Sequence, residues 1–397
     1  MSSDKPDTSV RGFKVPRHRS ALNGLFKKAR PFGRSIHHLS DLMFASGSGT
    51  TEVQHIMLRV LSLRQQSRET LKSRLALYGI DESFEEAVVI VEQSTELQVY
   101  FSILENRIPV ASLVPGLNPW PGAFKPARDL QEQLAVVGGV DTMDVSIRLD
   151  IPRPRNMTTR GVAALSGDSP IGDSPYIIKG YDPDATRGKK RHLASATSLE
   201  EETSHESSYS HQLDDEMAKD LPDADDETSV NTALLLLLKE LSFLVRKREV
   251  EWTVDRVRFA PQFAKGGFTT CTDGAFLLRH SNRIIAIVEA KRRLRSKDPK
   301  SIMMQEAAEL VGWLLDSRAA EFPGLNSHAL LISQDRHQIF LSFAKITPEY
   351  LDYLRNPQSS SRALMPIQPY GPYNIFLREH MEELATLIVA LTLMASG

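Results

Sequence analysis

Apolar positions recur at helical spacing in some stretches of the chain and alternate at strand spacing in others. These two periods set the expected elements. Leu234–Leu238, Leu241 and Leu244 continue one apolar stripe, which predicts a helix over Thr232–Val245. Val250, Trp252 and Val254 alternate as in a strand, and Lys265-Gly266-Gly267 interrupts the pattern. Asp273–Arg279 and Ile284–Lys291 read as two strands joined by His280-Ser281-Asn282-Arg283. Gln305–Leu315 has a helical period, with Leu310, Trp313 and Leu314 as core. Ala329–Ser333 and Ile339–Phe343 read as strands around the turn Gln334–His337. Thr347-Pro348 opens a further helix, with threonine as cap and proline in the first turn. Met381–Met394 closes the chain as an amphipathic helix. From residue 229 the expected order is therefore α-β-β-β-α-β-β-α-α, in 169 residues that suffice for one core.

The region 46–155 is less regular and reads as a small accessory α/β region. Thr51-Glu52-Val53-Gln54 has the form of a capping box, followed by Val53, Ile56, Met57, Val60 and Leu61 at helical spacing. Gly79 is a helix stop. Ala87–Val91 and Leu97–Leu104 fit two strands or one helix, with β-branched content favouring strands. Pro109, Pro115, Pro119, Pro121 and Pro126 mark a loop, and Val145–Leu149 is a short strand candidate.

Charge redraws this picture at both ends of the accessory region. Residues 1–40 hold nine basic and two acidic side chains, which predicts a flexible basic arm over 1–45. Between Ser195 and Thr228 twelve acidic residues face a single Lys219, a net of −11. Together with two Gly-Asp-Ser-Pro units and the cluster Arg187–Arg191, this makes 156–228 a disordered, acidic linker, free to dock a protein partner. The 397 residues as a whole carry a net charge of only −2, so any nucleic-acid contact must come from a local patch. One cysteine, Cys271, excludes an intrachain disulfide and reads as a small buried hydrophobe. No apolar run reaches the ~20 residues a membrane span needs. The basic clusters at 11–34 and 187–191 point to the nucleus, with the cytoplasm as alternative.

The chemistry concentrates around Thr272-Asp273-Gly274 and Glu289-Ala290-Lys291. If the hairpin turns about Ser281, position 273 mirrors position 289, and the β-carbons of Asp273 and Glu289 lie ~4.5–5.5 Å apart. Two carboxylates that close repel unless a cation sits between them. An oxygen-lined pair with room for water suits Mg2+. Lys291, two residues beyond Glu289, shares its face of the strand. Ile284–Val288 is apolar on both faces, so this strand is central in its sheet. Arg292, Arg293, Arg295 and Lys297 follow as a positive patch able to hold a phosphate backbone.

These motifs, with the element order and the basic exit, resemble the PD-(D/E)XK (restriction-endonuclease-like) nuclease superfamily, in the form found in uncharacterised fungal proteins. The resemblance covers the last two-fifths of the chain. It implies an α-β-β-β-α-β core with a mixed sheet flanked by helices. It implies Mg2+ (or Mn2+) on Asp273 and Glu289, with the Ala290 carbonyl as a further ligand, and a catalytic role for Lys291. It also implies a further acid on the first helix, for which Glu240 is the candidate and Glu249 and Glu251 are rivals. A glutamine on the following helix matches Gln305. The tyrosine that accompanies it in recombination-type exonucleases is replaced by Glu309, and the motif's proline by Thr272.

The expected activity is hydrolysis of DNA phosphodiesters by a metal-activated water. The competing reading is a nuclease-like fold without activity, serving as a nuclear DNA-binding or protein-interaction module.

Overall fold

The computed structural model describes residues 7–136, 227–319 and 325–397. Its helices are α1 (Arg19–Ala29), α2 (Glu52–Leu58), α3 (Arg68–Lys72), α4 (Leu75–Tyr78), α5 (Asp81–Gln93), α6 (Thr95–Glu105), α7 (Lys125–Val136), α8 (Glu227–Phe243), α9 (Pro299–Leu314), α10 (Pro348–Arg355) and α11 (Arg378–Ser396). Its strands are β1 (Val60–Ser62), β2 (Val250–Thr253), β3 (Val257–Phe259), β4 (Gln262–Phe263), β5 (Gly266–Gly267), β6 (Thr270–Thr272), β7 (Gly274–Leu278), β8 (Ile284–Lys291), β9 (His328–Asp335), β10 (Gln338–Lys345) and β11 (Met365–Asn374).

Seven strands form one mixed sheet in the order β1-β11-β10-β9-β8-β7-β2. β8 and β9 run parallel, as do β1 and β11, and the other neighbours are antiparallel. Two short ribbons, β3–β6 and β4–β5, lie outside it. Side chains alternate across β8. Ala286, Val288 and Ala290 join a core with α5, α6, α8 and α11, while Ile287 joins an opposite core with α1, α2, α9 and α10. The result is a mixed α/β fold, with helices covering both faces of the sheet. The central position expected for β8 is met, since only its last residue is less than fully buried.

The basic segment expected as a flexible arm is folded from residue 7 onward. Leu22, Leu25 and Ala29 of α1 are buried, as are Ile36 and Leu39. Ile36 N–H donates to the Tyr353 hydroxyl at 3.0 Å, and that hydroxyl donates to the Met57 carbonyl at 2.6 Å. The Arg59 guanidinium lies 3.6 Å over the Tyr353 ring. The apolar stripe of α1 was hidden among its charges.

Nor is the accessory region separate. β1 pairs with β11 at the edge of the main sheet, from Val60 opposite Met365 to Ser62 opposite Ile367. Ala87–Val91 and Leu97–Leu104 are helical, divided at Ser94, whose side chain caps the second helix. Here tertiary packing overrides β-branched preference. The helix penalty is at most ~0.7 kcal/mol per residue, whereas burying one valine is worth ~1.5–3 kcal/mol. Pro126 lies in the first turn of α7 and so begins a helix instead of marking a loop. The expected linker ends earlier than 228, because Glu227 and Thr228 already belong to α8. The rest of 156–228, and Val145–Leu149, lie outside the described residues. Among the described residues no helix is long and apolar enough to cross a membrane.

Candidate metal centre and cleft

Helix α8 packs along the sheet through Leu234, Leu235, Leu237, Leu238 and Leu241. At Gly274 a β-carbon would stand 2.8 Å from a Leu235 methyl and 2.8 Å from the Thr253 carbonyl. Glycine therefore lets α8 and β2 close on the start of β7, and this fixes Asp273 one residue before it. The hairpin register follows the mirror expected from the sequence. Gly274 faces Val288, and Asp273 N–H donates to the Val288 carbonyl at 2.9 Å. The Asn231 side-chain amide donates to the Asp273 carbonyl at 3.1 Å, and Ala290 N–H donates to Asp273 Oδ2 at 3.0 Å. The other oxygen, Oδ1, lies 3.3 Å from Arg256.

Glu289 leaves β8 toward α9. Its Oε1 accepts from Lys291 Nζ and from Gln305 Nε2, the latter at 2.6 Å. Gln305 uses its other amide hydrogen on Glu309 Oε1 at 2.7 Å. Glu289 Oε2 is buried and has no hydrogen-bond partner. Glu227 completes the group from the first turn of α8, 3.7 Å from Lys291 Nζ. Glu227, Asp273 and Glu289 each offer a carboxylate oxygen, and these oxygens lie within 4.8 Å of one another. A cation there fits the residues present, because hard oxygen donors converge and one of them is an unpaired buried oxygen.

Burial, and then the carboxylates of Asp273 and Glu227, raise the Glu289 pKa to about 8 against the pull of Lys291. Glu309 is raised well above its ordinary value, first by burial and next by Glu289. Lys291 is depressed by burial, but Glu289 and Glu309 outweigh this and hold it charged.

The group lies in a cleft of about 520 Å³, whose lining includes Arg256, Cys271, Arg292, Arg293, Ser46 and Ser48. The structure thus brings together Asp273, Glu289, Lys291 and Gln305, with Arg292 and Arg293 exposed at the cleft. Glu240 is not among them. It stands on the right helix thirteen residues on, about 20 Å along the axis at 1.5 Å per residue, beside Glu96 and Arg248. Glu249 and Glu251 are exposed and lie outside the cleft. Arg295 is buried and cannot face a polynucleotide. Its Nε donates to Asp335 at 2.7 Å, and its terminal nitrogens donate to Glu306 and, at 2.9 Å, to Ser333. Lys297 is exposed but not in the cleft lining. Cys271 is exposed at the cleft, not buried, since it alternates along β6 with the buried Thr270 and Thr272.

Sequence reasoning misses Glu227, because it falls inside the acidic run assigned to the linker. The signal is present: apolar spacing extends back from Ala233 and Leu234 to Val230, so Glu227 lies one turn earlier on the same side. Glu309 stands out in the sequence only as the residue replacing a tyrosine. Its i, i+4 relation to Gln305 already places both on one helix face. No family model, curated protein or solved structure matches the chain.

Proposed function

We propose that the protein is a Mg2+-dependent nuclease of the PD-(D/E)XK type, hydrolysing DNA phosphodiester bonds. The observation that carries this reading is the unpartnered Glu289 Oε2, buried among Glu227 and Asp273 at a cleft lined by arginines. Carboxylate oxygens select Mg2+ or Mn2+ over softer ions. Asp273, Glu289 and Glu227 hold the ion, with Glu227 taking the place expected of Glu240 and the Ala290 carbonyl as a further ligand. The ion supplies charge neutralisation at the phosphate and a lowered pKa for water.

This chain's own residues do the rest. Arg292 and Arg293 draw the phosphate backbone to the cleft. Lys291 stays protonated, so it acts as a fixed positive charge on the developing phosphorane, not as a base. Gln305 holds Glu289 by one oxygen and leaves the other for the ion. The exposed cations between Arg11 and Arg34 support a nuclear location; imaging of the tagged chain tests it, and exclusion from the nucleus would refute it.

The activity test is cleavage of plasmid and single-stranded DNA with Mg2+, Mn2+ or EDTA. Wild type should cut with either ion and stop with EDTA. Asp273→Asn, which keeps an acceptor for Ala290 N–H, should fold and not cut. Lys291→Ala should lose about 10²–10³-fold in rate while still binding Mg2+. Wild type that binds no Mg2+ and cuts nothing would favour the non-catalytic module instead.

A further inference from the structure

Asp273 sits at a crossing of strands. It is the single residue between β6 and β7, where the chain passes from the β3–β6 ribbon into the main sheet. The opposite strand crosses at the same level. β2 ends at Thr253, paired with Ala275, and β3 begins at Val257, paired with Thr272. One step beyond the ribbon, this antiparallel register brings Arg256 opposite Asp273. Arg256 Nη2 lies 3.3 Å from Asp273 Oδ1. Oδ2 already accepts from Ala290 N–H at 3.0 Å. Oδ1 is therefore the oxygen of Asp273 left for a cation, and Arg256 stands on it.

Two cations of this cleft are held very differently. Lys291 is 16% exposed and lies between Glu289 and Glu227, so it cannot leave without baring buried carboxylate. The Arg256 side chain is 68% exposed and meets Asp273 through one nitrogen. Its neighbours Val254 and Asp255 are exposed as well. An exposed ion pair with a single contact contributes little and breaks readily. Nor does Asp273 depend on it, since Val288 and Asn231 fix its backbone and Ala290 fixes Oδ2. Arg256 lines the same cleft as Arg292. Its planar fork suits the paired oxygens of a phosphate better than one oxygen of a carboxylate.

We propose that Arg256 is an exchangeable cation of the metal centre, which gives up Asp273 Oδ1 to a divalent ion and then holds a phosphate of the DNA in the same cleft. This rests on the nuclease reading and adds to it a residue that touches substrate. In the free protein Arg256 competes with the ion; with the ion bound it serves the DNA. Ion and DNA therefore favour each other's binding, since each gains when Arg256 leaves Asp273.

The test measures the two ligands separately on the full chain. Binding of Mn2+ alone is followed by electron paramagnetic resonance of the free ion. Arg256→Ala should bind Mn2+ about two- to fivefold more tightly than wild type, the worth of an exposed ion pair. Arg292→Ala removes the same charge from the same cleft and should leave Mn2+ affinity unchanged. Binding of a fluorescent DNA duplex is measured in the slow-cutting Lys291→Ala chain, with Mg2+ and with EDTA. Arg256→Ala should lower the salt slope by about one in Mg2+ and not in EDTA, whereas Arg292→Ala should lower it in both. Arg256→Gln, which keeps most of the stem and loses the charge, takes its place if the alanine variant melts early. Mn2+ affinity unchanged or weakened by Arg256→Ala, or strengthened equally by Arg292→Ala, would overturn the exchange. So would a salt slope that Arg256→Ala lowers equally with and without Mg2+, or in neither. If wild type still cuts DNA, any of these results sinks the exchange alone. Wild type that binds no Mn2+ and cuts nothing would sink the nuclease reading with it.

Discussion

Glu289 Oε1 receives two donors, Lys291 and Gln305, while its Oε2 receives none. This asymmetry leaves one buried oxygen unpaired beside Asp273 and Glu227, and it is enforced from behind by Glu309. Gln305 can aim its amide at Glu289 because Glu309 takes the second hydrogen. Burial raises the Glu309 pKa well above its ordinary value, which favours the protonated acid, whose carbonyl oxygen can accept. Glu309→Gln reproduces that state and should keep the cleavage rate within a few-fold of wild type. Glu309→Leu removes the acceptor, lets Gln305 turn away, and should lower the rate tenfold or more at saturating DNA. Rates for the two variants, with melting curves as a fold control, check this. If Glu309→Gln falls as far as Glu309→Leu, the residue acts as a charge and not as a support.

Among the elements, the segment between β8 and α9 divides its three arginines between two tasks. Arg292 and Arg293 reach the cleft, whereas Arg295 turns inward and joins α9 to β9 through Glu306, Asp335 and Ser333. Breaking a buried ion pair by removing one partner leaves uncompensated charge and costs ~3–5 kcal/mol. Arg295→Ala should therefore lose that stability in denaturant titrations. Arg292→Ala should leave stability unchanged and lower the salt slope of DNA binding by about one. A reversed pattern would return Arg295 to the nucleic-acid surface. A charge run shows composition but not direction, and this is why the sequence marks Arg295 as a contact. What was legible rested on short-range rules. Strand alternation and hairpin symmetry placed Asp273 opposite Glu289, and two-sided apolarity placed β8 in the centre. β11 was not legible, because Pro366, Pro369, Gly371 and Pro372 interrupt any strand alternation, yet the strand lies between β10 and β1. Its pairing is long-range: Arg59 and Gln66, some three hundred residues away, bond to Met365 and Gly371. Glu240 stands out in the sequence ahead of Glu227 because the start of α8 lies inside an acidic run, where charge obscures the helical period.

For the whole molecule, the site's buried carboxyls oppose the fold as pH rises. In the folded chain Glu289 holds its proton up to about pH 8, while in the unfolded chain it releases it near 4.5. The folded state therefore binds more protons across this window, and its stability falls as pH rises from about 4.5 to about 8. Glu309 acts in the same direction. His55 and His337 act in the opposite one. Burial lowers both to about 4, so they favour the fold increasingly as pH rises from about 4 to their ordinary 6.5, and no further. Above pH 6.5 nothing in this group offsets the carboxyls. One proton over the 1.5 pH units from 6.5 to 8 is worth about 2 kcal/mol, a few degrees in melting temperature for a chain of this size. Mg2+ held as proposed would compete with those protons, so it should restore what the rising pH removes. The metal-free protein should melt lower at pH 8 than at pH 6.5. Saturating Mg2+ should add little at pH 5.5 and several degrees at pH 8, and Glu289→Gln should flatten the pH profile and abolish the Mg2+ gain. Melting curves at these three pH values, with and without Mg2+, decide the matter. A metal-free protein equally stable from pH 6.5 to 8, or a Mg2+ gain that persists in Glu289→Gln, would mean that Glu289 is neither the strained carboxyl nor the ligand.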